Sequence, residues 1–361
     1  MSKRLVFVQS GLGAGGAEKI INLIAQHRAR LGDEVFVLAF HDSPDSSFFQ
    51  YPPSVVLRTM QSEISAPVAG GQGFLRQVRW LRKTIAEIQP ERVVSFLTKI
   101  NAISAIALLG TAPHLIVSER NNPLKQRPGR FWKGLISFTF NRADCIVMQT
   151  GSAQKLLNRA ARAKSCVIAN PCIMVPPVGS ETSKQVIAVG RLTQQKGFDL
   201  LIDAFAAVLT KHPDAGLTIW GEGQDRAKLE KRINDKGLNS NIFLPGLSDG
   251  TQAWVDQNAI FVLSSLYEGF PNVLAEAMSA GLACVAFDCD WGPSDLIEHG
   301  VNGLLVPTGD RDSLSQAISS LLDSPEHRKT LGVNARKNAE KYALDTILQQ
   351  WDLAIDGGSN G

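Results

Sequence analysis

Cysteine is scarce in this chain of 361 residues and follows no pattern. The five, Cys145, Cys166, Cys172, Cys284 and Cys289, are odd in number and include no C-x-x-C pair. That argues against a disulfide framework or a structural zinc site and for a reducing compartment. Long apolar runs are missing as well. Residues 5–8 are too short a run for the core of a signal peptide, and residues 102–109 fall far below a membrane span. A cytoplasmic protein is expected. The six histidines show no paired metal spacing, and no Ser-His-Asp order stands out. Neither a histidine-built metal centre nor a catalytic triad is therefore expected.

What remains is an ordinary globular composition, 44% apolar and 20% charged, at a length that predicts two or three domains. The net charge of +3 hides an asymmetry. Residues 1–175 carry 22 Lys+Arg against 10 Asp+Glu, and residues 176–361 carry 15 against 24. A basic half faces something anionic. No recognition-helix or base-stacking motif accompanies it, so a membrane surface or a phosphorylated lipid fits better than nucleic acid.

Two runs of strand–helix alternation flank residues 174–183 (MVPPVGSETS), which have the composition of a linker. This predicts two doubly wound α/β domains facing a central cleft: residues 1–172 and 173–344, with a helix near 345–356. The cleft is the default site. In the first run, a strand over residues 4–9 leads into Gly11-Leu12-Gly13-Ala14-Gly15-Gly16 and a helix. Gly11, Gly13 and Gly16 spell the dinucleotide fingerprint in its required context, with Asp42 as the acid after the next strand. A loop approaching any phosphate needs the same glycines, so both readings stand. Residues 74–88 read as a helix with Arg76, Arg79 and Lys83 on one face, and Leu75, Val78 and Leu81 on the apolar side. Arg127, Arg130 and Lys133 form a second basic segment among aromatics. Either is a solvated face or a contact with anionic lipid. Between them, a strand ends in the polar cluster Ser118-Glu119-Arg120-Asn121, at the sheet edge where ligands bind.

The second run centres on residues 259–290. An apolar strand gives way to the turn Tyr267-Glu268-Gly269-Phe270, and Pro271 opens a helix that Gly281 ends. Phe270 at the cap position supplies no side-chain acceptor, which leaves the amides of Asn272, Val273 and Leu274 for an anion. Glu268 and Glu276 frame that helix end. Arg191 and Lys196 lie in the first strand–helix connection of the same domain, on the same predicted sheet edge. Two cations and an uncapped helix could neutralise a diphosphate leaving group without a metal. Singly, Arg191 could pair with Asp199, and Glu276 could join a surface pair. Asp288-Cys289-Asp290 spells a D-x-D pattern, but its place late in the second domain marks a short acidic loop.

Taken together, Gly15-Gly16-Ala17-Glu18, Gly190-Arg191-Leu192 with Lys196-Gly197, Gly221-Glu222-Gly223, and Glu268-Gly269-Phe270-Pro271-Asn272 through Glu276 resemble the family 4 retaining glycosyltransferases of the GT-B fold, over nearly the whole chain. The resemblance implies that Arg191 and Lys196 hold the donor diphosphate, Glu276 the ribose and Glu268 the donor sugar. Gly221, Glu222 and Leu247 would lie near the base, and Gly269, Phe270, Pro271, Asn272, Val273 and Leu274 would line the donor. Gly15 and Gly16, with Glu119, Arg120 and Asn121, would serve the acceptor side. Many relatives carry a cleft histidine that Ser118-Glu119-Arg120-Asn121 lacks; Glu119 or Arg120 would take part of its role, or Arg120 would hold the acceptor's phosphate. The helix near 345–356 would cross back onto the first domain.

The expected function is a metal-independent, retaining transfer of a hexose or N-acetylhexosamine, with no cofactor. The donor would be a nucleotide diphosphate sugar, UDP-linked, and the acceptor a saccharide on a polyprenyl diphosphate, at the inner face of the cytoplasmic membrane. The alternatives are an NAD-dependent oxidoreductase using residues 11–16, and a non-catalytic carbohydrate-binding subunit.

Overall fold

The computed structural model describes residues 2–64, 72–120, 130–177, 183–255 and 260–357. The chain divides into two compact units, Met1–Ala169 with Ile347–Gly361, and Asn170–Thr346.

In the first unit seven parallel strands, β1 (Arg4–Gln9), β2 (Glu34–Ala39), β3 (Val55–Thr59), β4 (Arg92–Phe96), β5 (His114–Glu119), β6 (Cys145–Met148) and β7 (Ser165–Val167), lie in the order β3-β2-β1-β4-β5-β6-β7. Leu5, Val6, Phe7 and Val8 are all fully buried, because helices cover both faces of the sheet and no strand position can be polar without a partner. The helix Gln72–Ile88 turns Leu81 inward as its sequence suggests, but not Leu75. Trp80, Leu81, Ile85 and Ile88 are buried, whereas Leu75 is 56% exposed. Trp80 fixes that rotation: it packs edge-on against Phe40 at 5.7 Å and donates its ring N–H to Glu63 at 2.8 Å. Arg79 and Lys83 remain exposed, with Lys83 3.8 Å from Glu87, and Lys133 is exposed on the helix Arg130–Arg142. Arg127 and the side chain of Arg130 lie outside the described residues.

From Ile347 onward the C-terminal helix Leu344–Asp356 belongs to this first unit. Trp351 is fully buried and stacks on Phe96 at 5.4 Å. Arg28 is buried as well and bridges Asp33 at 2.5 Å, Asp352 at 2.9 Å and Asp356 at 3.0 Å. Burial alone would weaken its charge, but these carboxylates hold the guanidinium above its ordinary pKa.

The second unit carries six parallel strands, β8 (Gln185–Val189), β9 (Gly216–Trp220), β10 (Ile242–Gly246), β11 (Ile260–Leu263), β12 (Ala283–Phe287) and β13 (Leu304–Val306), ordered β10-β9-β8-β11-β12-β13. The helix Phe198–Val208 buries Phe198, Leu201, Ile202, Phe205 and Val208 at helical spacing against the sheet. The start of the predicted linker is part of this unit. Cys172 N donates to Tyr342 O at 2.7 Å, and the buried Val175 gives its carbonyl to Arg336 at 2.6 Å. An apolar side chain and a satisfied carbonyl dock that stretch despite its prolines. Both sheets therefore reverse strand order beside their first strand, at β1/β4 and at β8/β11. These switch points are where a doubly wound sheet opens a crevice for a ligand.

Candidate functional site

The β8/β11 switch point of the second unit brings together most of the donor-side residues. After β8 the chain runs through Gly190, Arg191 and a short 3-10 turn, Gln194–Lys196, to Gly197. Gly197 is left-handed (φ +59°), and a Cβ there would run into the carbonyl of Ser264, just past β11. Only glycine lets the two connections approach this closely. They are then bonded directly: Leu266 N donates to Gln195 O at 2.8 Å, Gln195 Nε2 to Tyr267 O at 2.9 Å, and Ser264 Oγ to Lys196 O at 2.8 Å.

This framework places Lys196 Nζ 2.6 Å from Glu268 Oε1, with the two side chains 14% and 8% exposed. Ser265 Oγ donates to the same oxygen at 2.6 Å. Arg191 is exposed and has no ion-pair partner among the described residues; the pairing with Asp199 does not occur. Lys196 and Glu268, assigned by the sequence to the two ends of a donor, hold each other here. A buried pair of this kind costs about 3–5 kcal/mol to break from one side, so Lys196 leaves Glu268 only for another strong anion.

The helix that follows is Asn272–Ser279, with Pro271 as its cap residue and no side-chain cap. Helical geometry begins one residue later than the sequence suggests, because Asn272 N turns back to Phe270 O at 3.0 Å. Leu274 N is likewise engaged, by Pro271 O at 3.0 Å, which corrects the expectation of three open amides. Val273 N alone of the three has no hydrogen-bond partner among the described residues. Phe270 is buried edge-on against Tyr342 at 5.6 Å, and Tyr342 donates its hydroxyl to Asp295 O, so the Glu268-Gly269-Phe270-Pro271 turn is clamped from below. Burial raises the Tyr342 phenol to about 12, keeping it a neutral donor. Glu276 accepts from Thr251 Oγ1 at 3.1 Å. Asn272 presents its side-chain oxygen to Asn170 at 2.9 Å.

The Gly221-Glu222-Gly223 turn joins the same edge. Gly221 has φ +139° and lies against the Gly190 carbonyl, where any Cβ would collide; its N–H donates to Gly246 O at 2.7 Å. Leu192 N donates to Glu222 O at 2.9 Å, and the Glu222 carboxylate pairs with Arg226 at 2.6 Å. Leu247 stands 75% exposed beside this turn. Asp288 and Asp290 are exposed on either side of the buried Cys289, whose thiol burial pushes up to about 12. Among the described residues no group of three His, Cys, Asp or Glu is arranged to hold a metal ion.

In the first unit Glu119 closes β5 at the strand end the sequence indicates; it is 3% exposed, and accepts from Thr98 Oγ1 at 2.9 Å and Arg120 N at 3.0 Å. Arg120 folds back over the rings of Phe96 and Trp351, 5.1 and 5.5 Å from their centres, and donates to Ser118 Oγ at 2.8 Å. Burial lowers its pKa and Glu119 opposes that. The two expected acceptor contacts thus face the interior of the unit, where the aromatic pair attracts the guanidinium. Asn121 lies outside the described residues. Gly15 and Gly16 are exposed at the start of the helix Gly16–Arg30, which lacks a side-chain cap. Asp42, the acid of the dinucleotide reading, accepts from Leu12 N at 2.7 Å and so closes the glycine loop on itself instead of projecting toward a ribose.

Sequence reasoning does not single out Thr251 or Ser265. Their signal is positional only: Ser265 is the second residue after β11, and Thr251 opens the helix Thr251–Val255.

Comparison with known proteins follows the same lines. Over 94% of its length the chain is 27% identical to an exopolysaccharide phosphotransferase of Streptomyces coelicolor, but it spans only 39% of that protein. It is 24% identical to a Campylobacter jejuni N-acetyl-D-galactosaminyltransferase, named for a diphospho-undecaprenol-linked saccharide, over 96% of this chain and 97% of that protein. The crystal structure of Anabaena HepE in complex with UDP shares the fold, with a TM-score of 0.82, 21% identity, and coverage of 98% of this chain and 100% of that one. Residues 15–171 match the family model described as a glycosyl transferase 4-like domain, and residues 175–338 match glycosyl transferases group 1. With both models matched in succession on two doubly wound sheets, the chain belongs to the family 4 glycosyltransferases of the GT-B fold.

Proposed function

We propose that the protein transfers a hexose or N-acetylhexosamine from a UDP-linked donor to a sugar hydroxyl of a polyprenyl-diphosphate-linked acceptor, with retention of configuration and without a metal. The observation that carries this reading is the β8/β11 edge, where Arg191 is exposed and Lys196 pairs with Glu268, beside an uncapped helix. A diphosphate entering there meets Arg191 and the Val273 amide and competes with Glu268 for Lys196. Glu276, held by Thr251, accepts from the ribose hydroxyls, and Glu268 accepts from the donor sugar. Gly221, Glu222 and Leu247 border the base.

In the reaction the bond from C1 to the diphosphate oxygen breaks as the acceptor oxygen bonds to C1 on the same face. The acceptor's proton passes to the departing diphosphate. Arg191, Lys196 and the helix end stabilise the charge that develops on that leaving group, where preorganised dipoles contribute most. Relatives named for undecaprenyl-linked saccharides support the acceptor class. The basic excess of residues 1–175, with Arg79, Lys83 and Lys133 exposed, supports attachment at an anionic membrane surface, and no described helix is long and apolar enough to cross one.

The test is a thermal-shift series with UDP, GDP, ADP and dTDP, followed by hydrolysis of the matching nucleotide sugars with and without EDTA. UDP is expected to raise the melting temperature and EDTA to leave turnover unchanged. A shift with another base alone would reassign the donor, and loss of turnover in EDTA would bring Asp288 and Asp290 back into consideration.

A further inference from the structure

We infer that Ser265 is a positioning residue for Glu268, locking one carboxylate oxygen so that the other alone reads the donor sugar; this rests on the donor reading above. Glu268 Oε1 accepts two hydrogen bonds, from Lys196 Nζ and from Ser265 Oγ, each at 2.6 Å. Oε2 has no hydrogen-bond partner among the described residues, and it is not among the polar atoms sealed from solvent. One oxygen is doubly held and the other is presented to the site.

The two donors are not equivalent. Lys196 is a cation that a diphosphate draws away, since a doubly charged phosphate chain outcompetes one carboxylate for an ammonium. Ser265 is neutral and 1% exposed, and it lies two residues past the end of the fully buried strand β11. Its hold on Oε1 persists when the donor takes Lys196. Without it, the carboxylate would be free to turn about its terminal torsion, which has no sharp staggered minima, at the moment it must accept from a sugar hydroxyl. Ser265 therefore acts after diphosphate binding and on the sugar end of the donor.

The experiment compares wild type, Ser265→Ala and Ser265→Thr. It measures UDP affinity by calorimetry and hydrolysis of UDP-glucose, UDP-galactose, UDP-GlcNAc and UDP-GalNAc by steady-state kinetics. For Ser265→Ala the UDP affinity is expected to stay within about twofold, while kcat on the best donor falls about ten- to a hundredfold, the usual effect of losing a hydrogen bond to a charged group. Ser265→Thr, which keeps the hydroxyl, restores most of kcat. Wild-type kcat in Ser265→Ala overturns the role. So does a parallel fall of UDP affinity, kcat and melting temperature that threonine does not rescue, since that marks a merely structural serine. If neither UDP nor any other nucleoside diphosphate of the thermal-shift series binds wild type, the donor reading itself falls, and the Ser265 role with it.

Discussion

The first strand–helix connection of each unit occupies the same topological place, after β1 in one and after β8 in the other, yet the two are finished in opposite ways. After β1 the loop is glycine-rich and answered by acids. Asp42 takes the Leu12 amide at 2.7 Å, and the Glu18 carboxylate lies against Gly15. Burial raises the pKa of Glu18, and the charge of Asp42 adds to that effect. After β8 the loop carries Arg191 and Lys196 and is tied to its neighbours through backbone bonds, with Arg191 exposed and Lys196 held by Glu268. A doubly wound sheet opens a crevice at both places, but of these two loops the one after β8 carries the cations that a diphosphate would need. Strand order sets where a ligand could bind; the side chains of one short loop decide which ligand.

The largest effect expected from breaking this contrast is at the paired groups. Lys196→Ala and Glu268→Ala should each lower turnover at least about a hundredfold, close to 2.7 kcal/mol of transition-state stabilisation. Steady-state donor hydrolysis measures this, at a temperature where circular dichroism shows each variant folded. The two should separate in binding: Lys196→Ala weakens UDP, whereas Glu268→Ala leaves UDP affinity near wild type. Retained activity in both variants would remove the β8/β11 edge as the site.

A smaller effect sharpens the contrast through glycine. Gly197→Ala puts a Cβ at φ +59° against the Ser264 carbonyl, and should cost about 2 kcal/mol of stability through left-handed strain and displaced backbone. Gly13→Ala meets nothing within 4 Å and should change stability by less than about 0.5 kcal/mol. Urea unfolding of the two variants checks both values. Should Gly13→Ala fold normally yet lose turnover, the loop after β1 would have to approach a ligand closely, and the two loops would be more alike than their charges suggest.

The two-unit α/β architecture is legible in the sequence because apolar strands buried on both faces, such as those of residues 5–8 and 260–263, repeat between helices of clear periodicity. The proposed donor edge is legible for a related reason: Glu268, Pro271, Asn272 and Glu276 lie on one turn and one helix, so spacing alone brings them together. What escapes is non-local. Nothing in the run Ser118-Glu119-Arg120 says that Arg120 will lie over Phe96 and Trp351, since Trp351 is more than two hundred residues away in sequence. The inward side of the helix Gln72–Ile88 depends on Phe40 and Glu63 meeting Trp80. The direct pairing of Lys196 with Glu268 needs the close approach that Gly197 permits at Ser264. Each is a contact between elements whose sequence positions carry no record of their neighbours.

The smallest expected effect concerns Asp42, on which the dinucleotide reading of the first loop turns. In that reading the acid after the second strand projects toward a ribose, and its loss would abolish cofactor binding. Here Asp42 sits at φ +71°, a conformation Asp tolerates better than most residues, and its carboxylate accepts from Leu12 N while its own N–H donates to Gln61 at 3.0 Å. Asp42→Ala removes the carboxylate that closes the loop and places alanine in a left-handed position. It should lower stability by about 1–2 kcal/mol, with turnover within about twofold of wild type. Wild type should show no melting shift with NADH under conditions where UDP gives one. A shift with NADH that Asp42→Ala abolishes would mean that the carboxylate leaves Leu12 for a ribose, and the glycine loop after β1 would then be a second nucleotide site rather than a self-closed turn.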